Sequence, residues 1–291
     1  KVGGDWETYL FVYERATYNY PQFQWSLTFE FLNSFVSLIG GGIYGVNLII
    51  ASAFFFSLYR LGRVLNFDLI LLILISFSLV YFNGIMGYVR QTLCLTFLIF
   101  STEFIFRKKY HLSTLFFILA VTTHISIIIF MPIYLFIHLK NIRNVLVILF
   151  ISTILILFYN HLLFVAYEQF VKLGRISVGA IYRAIPLFIC CAIYYKYRKK
   201  FLTSSRNYNF FLDYLFILST LMILVGFLIP QLSTITDRLS FYLIVFQIIV
   251  CGNFFSKVIQ RKNKKYFHGI IFVSVFYFII TFTWLIFGNY S

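Results

Sequence analysis

Arg90 and Gln91 open a long apolar run, just after Asn83-Gly84 and Gly87-Tyr88. Charges at membrane depth are costly and mark candidate functional sites. The guanidinium of Arg90 reads either as an anion ligand, gripping phosphate through two parallel hydrogen bonds, or as an anchor that snorkels to the headgroups. His124 lies in Leu119-Ala120-Val121-Thr122-Thr123-His124-Ile125-Ser126, with apolar residues on both sides. Histidine is the side chain best suited to proton transfer near neutral pH; the plainer reading is a hydrogen-bonded core residue. Asp237-Arg238 follows Pro230 and a polar turn. It reads as a local ion pair with Thr236 or Asp237 as a helix N-cap, or as a second phosphate-binding arginine. Lys172 and Arg175 share a basic loop that is either solvated or meets an anionic substrate. Arg183 falls within an apolar span and needs a partner or a cavity. Asp5, beside Gly3-Gly4 and Trp6, suits a sugar contact or acid–base work, or belongs to an exposed tail. His111, His138 and His268 flank loops and read as interfacial, and His161 is a weaker candidate for the cavity of His124.

Absences narrow the chemistry. The chain carries no P-loop, no His-Glu-x-x-His, no Gly-x-Ser-x-Gly and no Asp-x-Asp. With only nine acids, a dedicated divalent-metal cage is not expected, and no cofactor is implied. The chemistry would rest on arginines and a base.

The composition says what must position these groups. Hydrophobic residues make up 61% of the 291 and charged residues 11%. A soluble domain carries about 25% charge, so an ordinary soluble enzyme, a disordered chain and a disulfide scaffold are excluded. The expected fold is an all-α polytopic membrane protein, a single integral domain over 1–291. The net charge of +15 reads as topology, because cytoplasmic loops collect Lys and Arg; nucleic acid is not an expected partner. Cys94, Cys190, Cys191 and Cys251 lie in apolar stretches without metal-ligand spacing and read as packing residues.

A span needs roughly 20 apolar residues. Candidates are 43–60, 67–84, 87–106, 113–138, 145–166, 178–195, 210–230, 238–255 and 267–287. With broken or re-entrant segments they make about nine or ten transmembrane helices. Residues 1–42 form an aromatic, polar outer-face segment, with an amphipathic interfacial helix over 22–39 and a second such helix over 160–173, in an outer-face loop near 160–177. No signal peptide is visible, and the sequence opens on Lys1 without an initiator Met, which leaves open whether a further span precedes it.

Orientation has two solutions. If 113–138 is one span, the N-terminus is cytoplasmic and Arg107-Lys108-Lys109 lies outside. If it enters and returns as two half-helices around His124, most of the 24 basic residues face the cytoplasm. The remainder is then Lys1, Arg15, Arg90, Lys172, Arg175, Arg183 and Arg238. The second solution gives the sharper asymmetry and places Thr122-Thr123-His124 at a helix break, where polar residues line cavities.

Three stretches together resemble the EpsG-like and Wzy-type bacterial polysaccharide polymerases. They are Gly3-Gly4-Asp5-Trp6-Glu7-Thr8-Tyr9; Arg90-Gln91-x-Leu93 running on to Arg107-Lys108-Lys109 and Leu119-Ala120-x-x-x-His124-x-Ser126; and Asp237-Arg238-Leu239-x-x-Tyr242. Gly4 replaces a Thr of the family pattern, and Cys94 an Ala. The resemblance implies a GT-C-like helical glycosyltransferase in the bacterial cytoplasmic membrane. It would join oligosaccharide repeat units carried on undecaprenyl pyrophosphate at the outer face, with a chain-length regulator as a further partner. It implies that Arg90, with Gln91, and Arg238 bind the donor pyrophosphate. It also implies that His124, or else Asp5, deprotonates the acceptor hydroxyl, and that Arg175 guides an anionic carrier. Rival readings are a flippase of lipid-linked sugars, a membrane acyltransferase acting on surface glycans, and a structural subunit.

Overall fold

The computed structural model describes residues 6–18, 26–76, 80, 84, 87–138, 179–203, 205–259 and 264–287. Among these every regular element is helical, as the composition requires. In chain order the helices are α1 Trp6–Tyr18, α2 Leu27–Leu38, α3 Gly42–Leu65, α4 Leu69–Ser76, α5 Val89–Phe106 and α6 Tyr110–Thr123. There follow α7 Met131–His138, α8 Gly179–Phe201, α9 Arg206–Leu228, α10 Ser233–Tyr242, α11 Ile244–Asn253 and α12 Lys264–Phe287. Among the described residues α3, α5 and α9 are long and apolar enough to cross a membrane. α10 and α11, bent by 48° at Leu243, make a fourth crossing if they form one broken span. The expected run 113–138 is divided into α6, a 3₁₀ segment Ile125–Phe130 and α7. The run 145–166 and the helix 160–173 lie outside the described residues.

The chain forms two compact units, one of residues 1–64 and 77–127, the other of 65–76 and 128–289. In the first, α1, α2, α3 and the start of α5 share a core of Tyr9, Val12, Phe29, Val36, Ile43, Val46, Ile50, Val89 and Leu93. α2 begins at a reciprocal cap: Ser26 Oγ accepts from the Phe29 N–H, and Glu30 Oε1 accepts from the Ser26 N–H, each at 3.3 Å. Its buried face carries Phe29, Glu30, Asn33 and Val36, while Phe31, Phe35 and Leu38 face outward.

α5 and α6 form a helical hairpin around Arg107-Lys108-Lys109. Lys108 takes a left-handed φ of 58°, and the N–H groups of Lys108 and Lys109 close on the carbonyls of Ile105 and Phe104. Thr92, Thr96 and Thr102 turn their hydroxyls back onto carbonyls of their own helix, so they cost little in a dry environment. Small side chains then let the two helices approach closely, as packing in lipid demands.

In the second unit α8 and α9 lie antiparallel, with Ser205 Oγ capping α9 through the Tyr208 N–H. α10 and α11 pack on them, and α4 packs on α11 and α12. The α4 entrance is tight: a Cβ added to Gly252 would meet the Phe67 ring at 2.4 Å. α9 presents Ile217, Leu221, Leu224 and Leu228 outward, and α12 presents Phe267, Ile271, Phe278 and Phe282. Apolar stripes on the outside are what a hydrocarbon solvent calls for, and they account for the large apolar fraction.

Candidate functional site

α5 follows Tyr88, which gives it no side-chain cap and whose own N–H donates to the Gly84 carbonyl at 2.8 Å. Arg90 is the second residue of this helix and is half-buried. Gln91 is buried, and its Oε1 has no hydrogen-bond partner among the described residues.

The hairpin register relates these residues to His124. Ser101 Oγ donates to the Ser113 carbonyl at 2.6 Å, and the Cys94 thiol donates to the Ala120 carbonyl at 3.3 Å. Seven residues back along α5, from 101 to 94, therefore match seven forward along α6, from 113 to 120. Four further steps on each helix bring Arg90 level with His124, and Gln91 level with Thr123. At His124 the helix stops. Its backbone is extended, at φ −155° and ψ 116°, and its N–H still donates to the Ala120 carbonyl. Its Nδ1 lies 2.6 Å from Ser126 Oγ. A hydrogen bond of 2.7 Å between Thr28 and Thr122 hydroxyls ties α2 to the same end of α6, and Arg15 of α1 pairs with buried Glu30 beside it at 3.6 Å.

The other end of this unit holds a different cluster. Glu103, fully buried, takes Arg60 at 2.9 Å and also pairs with Arg107. The Arg60 guanidinium lies over the rings of Phe56, Phe100 and Phe104. The basic turn 107–109 and the end of α3 thus sit at the end opposite Arg90.

The second unit has its own polar centre. Arg183 of α8 reaches Asp237 of α10, Nη1 to Oδ1 at 3.3 Å, and donates to the Asp237 carbonyl at the same distance. Its guanidinium also lies over the Phe241 ring. Asp237 thus takes a long-range partner, where spacing suggested only its neighbour Arg238. The expected N-cap role fails, because Thr236 and Asp237 lie inside α10, and Thr236 bonds back to Leu232 and Ser233 carbonyls. Arg238 follows on α10, half-buried. Beside the pair is a small open cleft walled by α8, α9 and α10. At the far end Arg198 clasps Asp213 with two hydrogen bonds of 2.8 and 2.7 Å, and Lys257 donates to the Phe201 carbonyl.

Of the sequence candidates, Arg90, Gln91 and His124 belong to the first unit and Arg238 to the second, while Asp5 and Arg175 lie outside the described residues. The roles of Glu30, Glu103 and Ser126 were missed. A lone acid inside Thr28-Phe29-Glu30-Phe31-Leu32 or Ser101-Thr102-Glu103-Phe104 was the available signal, since a carboxylate there must find a cation. Among the described residues no three His, Cys, Asp or Glu side chains gather as a metal site would require.

No curated protein and no solved structure matches the chain. The model of the EpsG family matches residues 1–290, the whole length but one residue. This helical, multi-pass membrane chain therefore belongs to the EpsG family, a Wzy-like family of polysaccharide polymerases.

Proposed function

We propose that the chain joins oligosaccharide repeat units carried on undecaprenyl pyrophosphate, at the outer face of a bacterial cytoplasmic membrane. The observation that carries this reading is the level placement of Arg90 and His124 across the α5–α6 hairpin. An acceptor hydroxyl attacks the anomeric carbon of the donor, and the bond from that carbon to the pyrophosphate oxygen breaks. His124 takes the hydroxyl proton at Nε2, with its Nδ1–H donating to Ser126 Oγ to fix that tautomer. Arg90 receives the charge that builds on the leaving pyrophosphate. Arg238, and Arg175 in its basic loop, are assigned to the anionic carrier, and Asp5 stands second to His124 as base.

Two features support the rest. In the first unit the basic turn 107–109 lies opposite Arg90, and in the second the cluster around Lys196–Lys200 and Lys257 lies opposite Arg183 and Asp237. By the positive-inside rule each basic end faces the cytoplasm and each candidate end the outside. Glu30, Glu103, Asp213 and Asp237 are all engaged by arginines, leaving few acids for a divalent cation and favouring catalysis by arginines and a base. The test is elongation of lipid-linked repeat units by membranes carrying Arg90→Ala or His124→Ala. Loss of polymer with wild-type protein levels supports the assignment, and elongation at the wild-type rate in both variants overturns it.

A further inference from the structure

Three carboxamide oxygens of the first unit are shut away from water and meet no hydrogen-bond donor among the described residues: Asn33 Oδ1 on α2, Asn47 Oδ1 on α3 and Gln91 Oε1 on α5. All three are set among members of the same apolar core. Asn33 stands one turn from Phe29 and from Val36, Asn47 one turn from Ile43 and from Ile50, and Gln91 between Val89 and Leu93. Asn47 takes a place in the inward stripe of α3, with Ile43, Ile50, Phe54, Leu58 and Leu61 at steps of three or four residues. α3 and α5 run parallel, since Phe56 meets Phe100, and Arg60, one turn on, meets Glu103. That offset of 43–44 residues puts Asn47 level with Arg90 and Gln91.

A buried acceptor left without a donor costs about 1–3 kcal/mol. Three of them around one core weaken the packing of α1 and α2 on α3 and α5, and a ligand that brings donors recovers the cost. Pyrophosphate offers a carboxamide oxygen only further acceptors, and a cation is disfavoured beside Arg90. Sugar hydroxyls supply donors without charge. We infer that Asn33, Asn47 and Gln91 bind hydroxyls of the repeat unit, in a subsite beside Arg90 that opens when the α1–α2 pair lifts from α3 and α5. The latch is the 2.7 Å hydrogen bond between Thr28 and Thr122, which fastens α2 to the end of α6. Phe31, Phe35 and Leu38, the outward face of α2, keep the moving pair seated in hydrocarbon. The inference rests on the polymerase reading and adds sugar recognition to its reaction centre.

The test uses the whole protein in membranes and repeat units extracted from a host deleted for this chain. Asn33→Leu and Asn47→Leu each remove one acceptor with little change of shape. Each should raise the KM for repeat units about threefold to tenfold, with kcat close to wild type. Inhibition by inorganic pyrophosphate should stay unchanged, and the purified variants should unfold at or above the wild-type temperature, because a buried acceptor without a donor has been removed. A Thr28→Cys, Thr122→Cys double variant, oxidised with copper phenanthroline, should stop elongating and resume after reduction with dithiothreitol. An unchanged KM in both leucine variants overturns the subsite. A lowered unfolding temperature also overturns it, assigning the carboxamides to packing, and weakened pyrophosphate inhibition does so by placing them on the phosphates. Full elongation by the cross-linked protein overturns the opening. Failure of the wild-type protein to elongate any repeat unit is a different outcome and removes the polymerase reading itself.

Discussion

Arg183 and Asp237 meet at 3.3 Å across the α8–α10 contact, each with less than a tenth of its side chain exposed. Two charges so far from water hold each other in place, and neither tolerates losing its partner. Removing one leaves an uncompensated charge, at a cost of about 3–5 kcal/mol, whereas replacing both with apolar residues of similar volume is close to neutral. Arg183→Met and Asp237→Leu should each sharply lower the detergent melting temperature, and the double variant should recover most of the loss. Equal losses in the double variant and the worse single variant would show that the two residues are not coupled.

That pair also shows what a linear reading reaches. Asp237 and Arg238 are neighbours in sequence and invite pairing, but adjacent residues on a helix point about 100° apart and do not face each other. The partner comes from 54 residues away, a separation that spacing cannot reveal. α2 teaches a related lesson. The pattern within 22–39 gives two unlike faces, yet not which one turns inward. The structure buries Glu30 and Asn33 and turns Phe31, Phe35 and Leu38 outward, because hydrocarbon is as good a solvent for phenylalanine as a core is. The helix break at His124 was legible, since two threonines and a histidine in an apolar run have no other comfortable place.

His124 and Ser126 form the second testable contact, at 2.6 Å. As a general base His124 should carry a factor of about 10² to 10⁴ in rate. His124→Ala should lower kcat by that much with donor binding little changed. Ser126→Ala should lower kcat less, by about tenfold, and Ser126→Thr should restore it, because the hydroxyl only orients the ring. A Ser126→Thr variant as slow as Ser126→Ala would remove that orienting role.

Arg90 offers a test of geometry against charge. A guanidinium grips a pyrophosphate with a planar fork, and an ammonium serves as a point charge. Arg90→Lys should therefore retain part of the activity that Arg90→Ala loses. A charge-assisted hydrogen bond is worth about 1.5–3 kcal/mol, so Arg90→Ala should cost about tenfold to a hundredfold in kcat/KM. Inhibition by added inorganic pyrophosphate should weaken in parallel. Undiminished inhibition in Arg90→Ala would place the anion elsewhere.

Gly252 and Phe67 test the packing of α4 on α11. A methyl group at Gly252 would lie 2.4 Å from the ring, so something must move. Overpacking of this kind costs about 1–3 kcal/mol. Gly252→Ala should lower the melting temperature in detergent, and Phe67→Leu added to it should give part of the loss back, the non-additivity expected of touching residues. Strict additivity would mean that the two do not share the space.

The separation of charge in each unit predicts which ends meet the outside. All four cysteines are buried, so a membrane-impermeant maleimide should find little to label in the wild-type protein. New cysteines at Lys108 and Lys199, in the basic ends, should stay unlabelled in intact cells and react only after the membrane is opened. New cysteines at Tyr18, just beyond the Arg15–Glu30 pair, and at Pro230, before α10, should react from outside. Labelling of Lys108→Cys in intact cells would instead select the simple alternation of spans. It would put Arg90 and His124 on the cytoplasmic side, where no externally assembled polymer could be extended, and the outer-face reading would have to be given up.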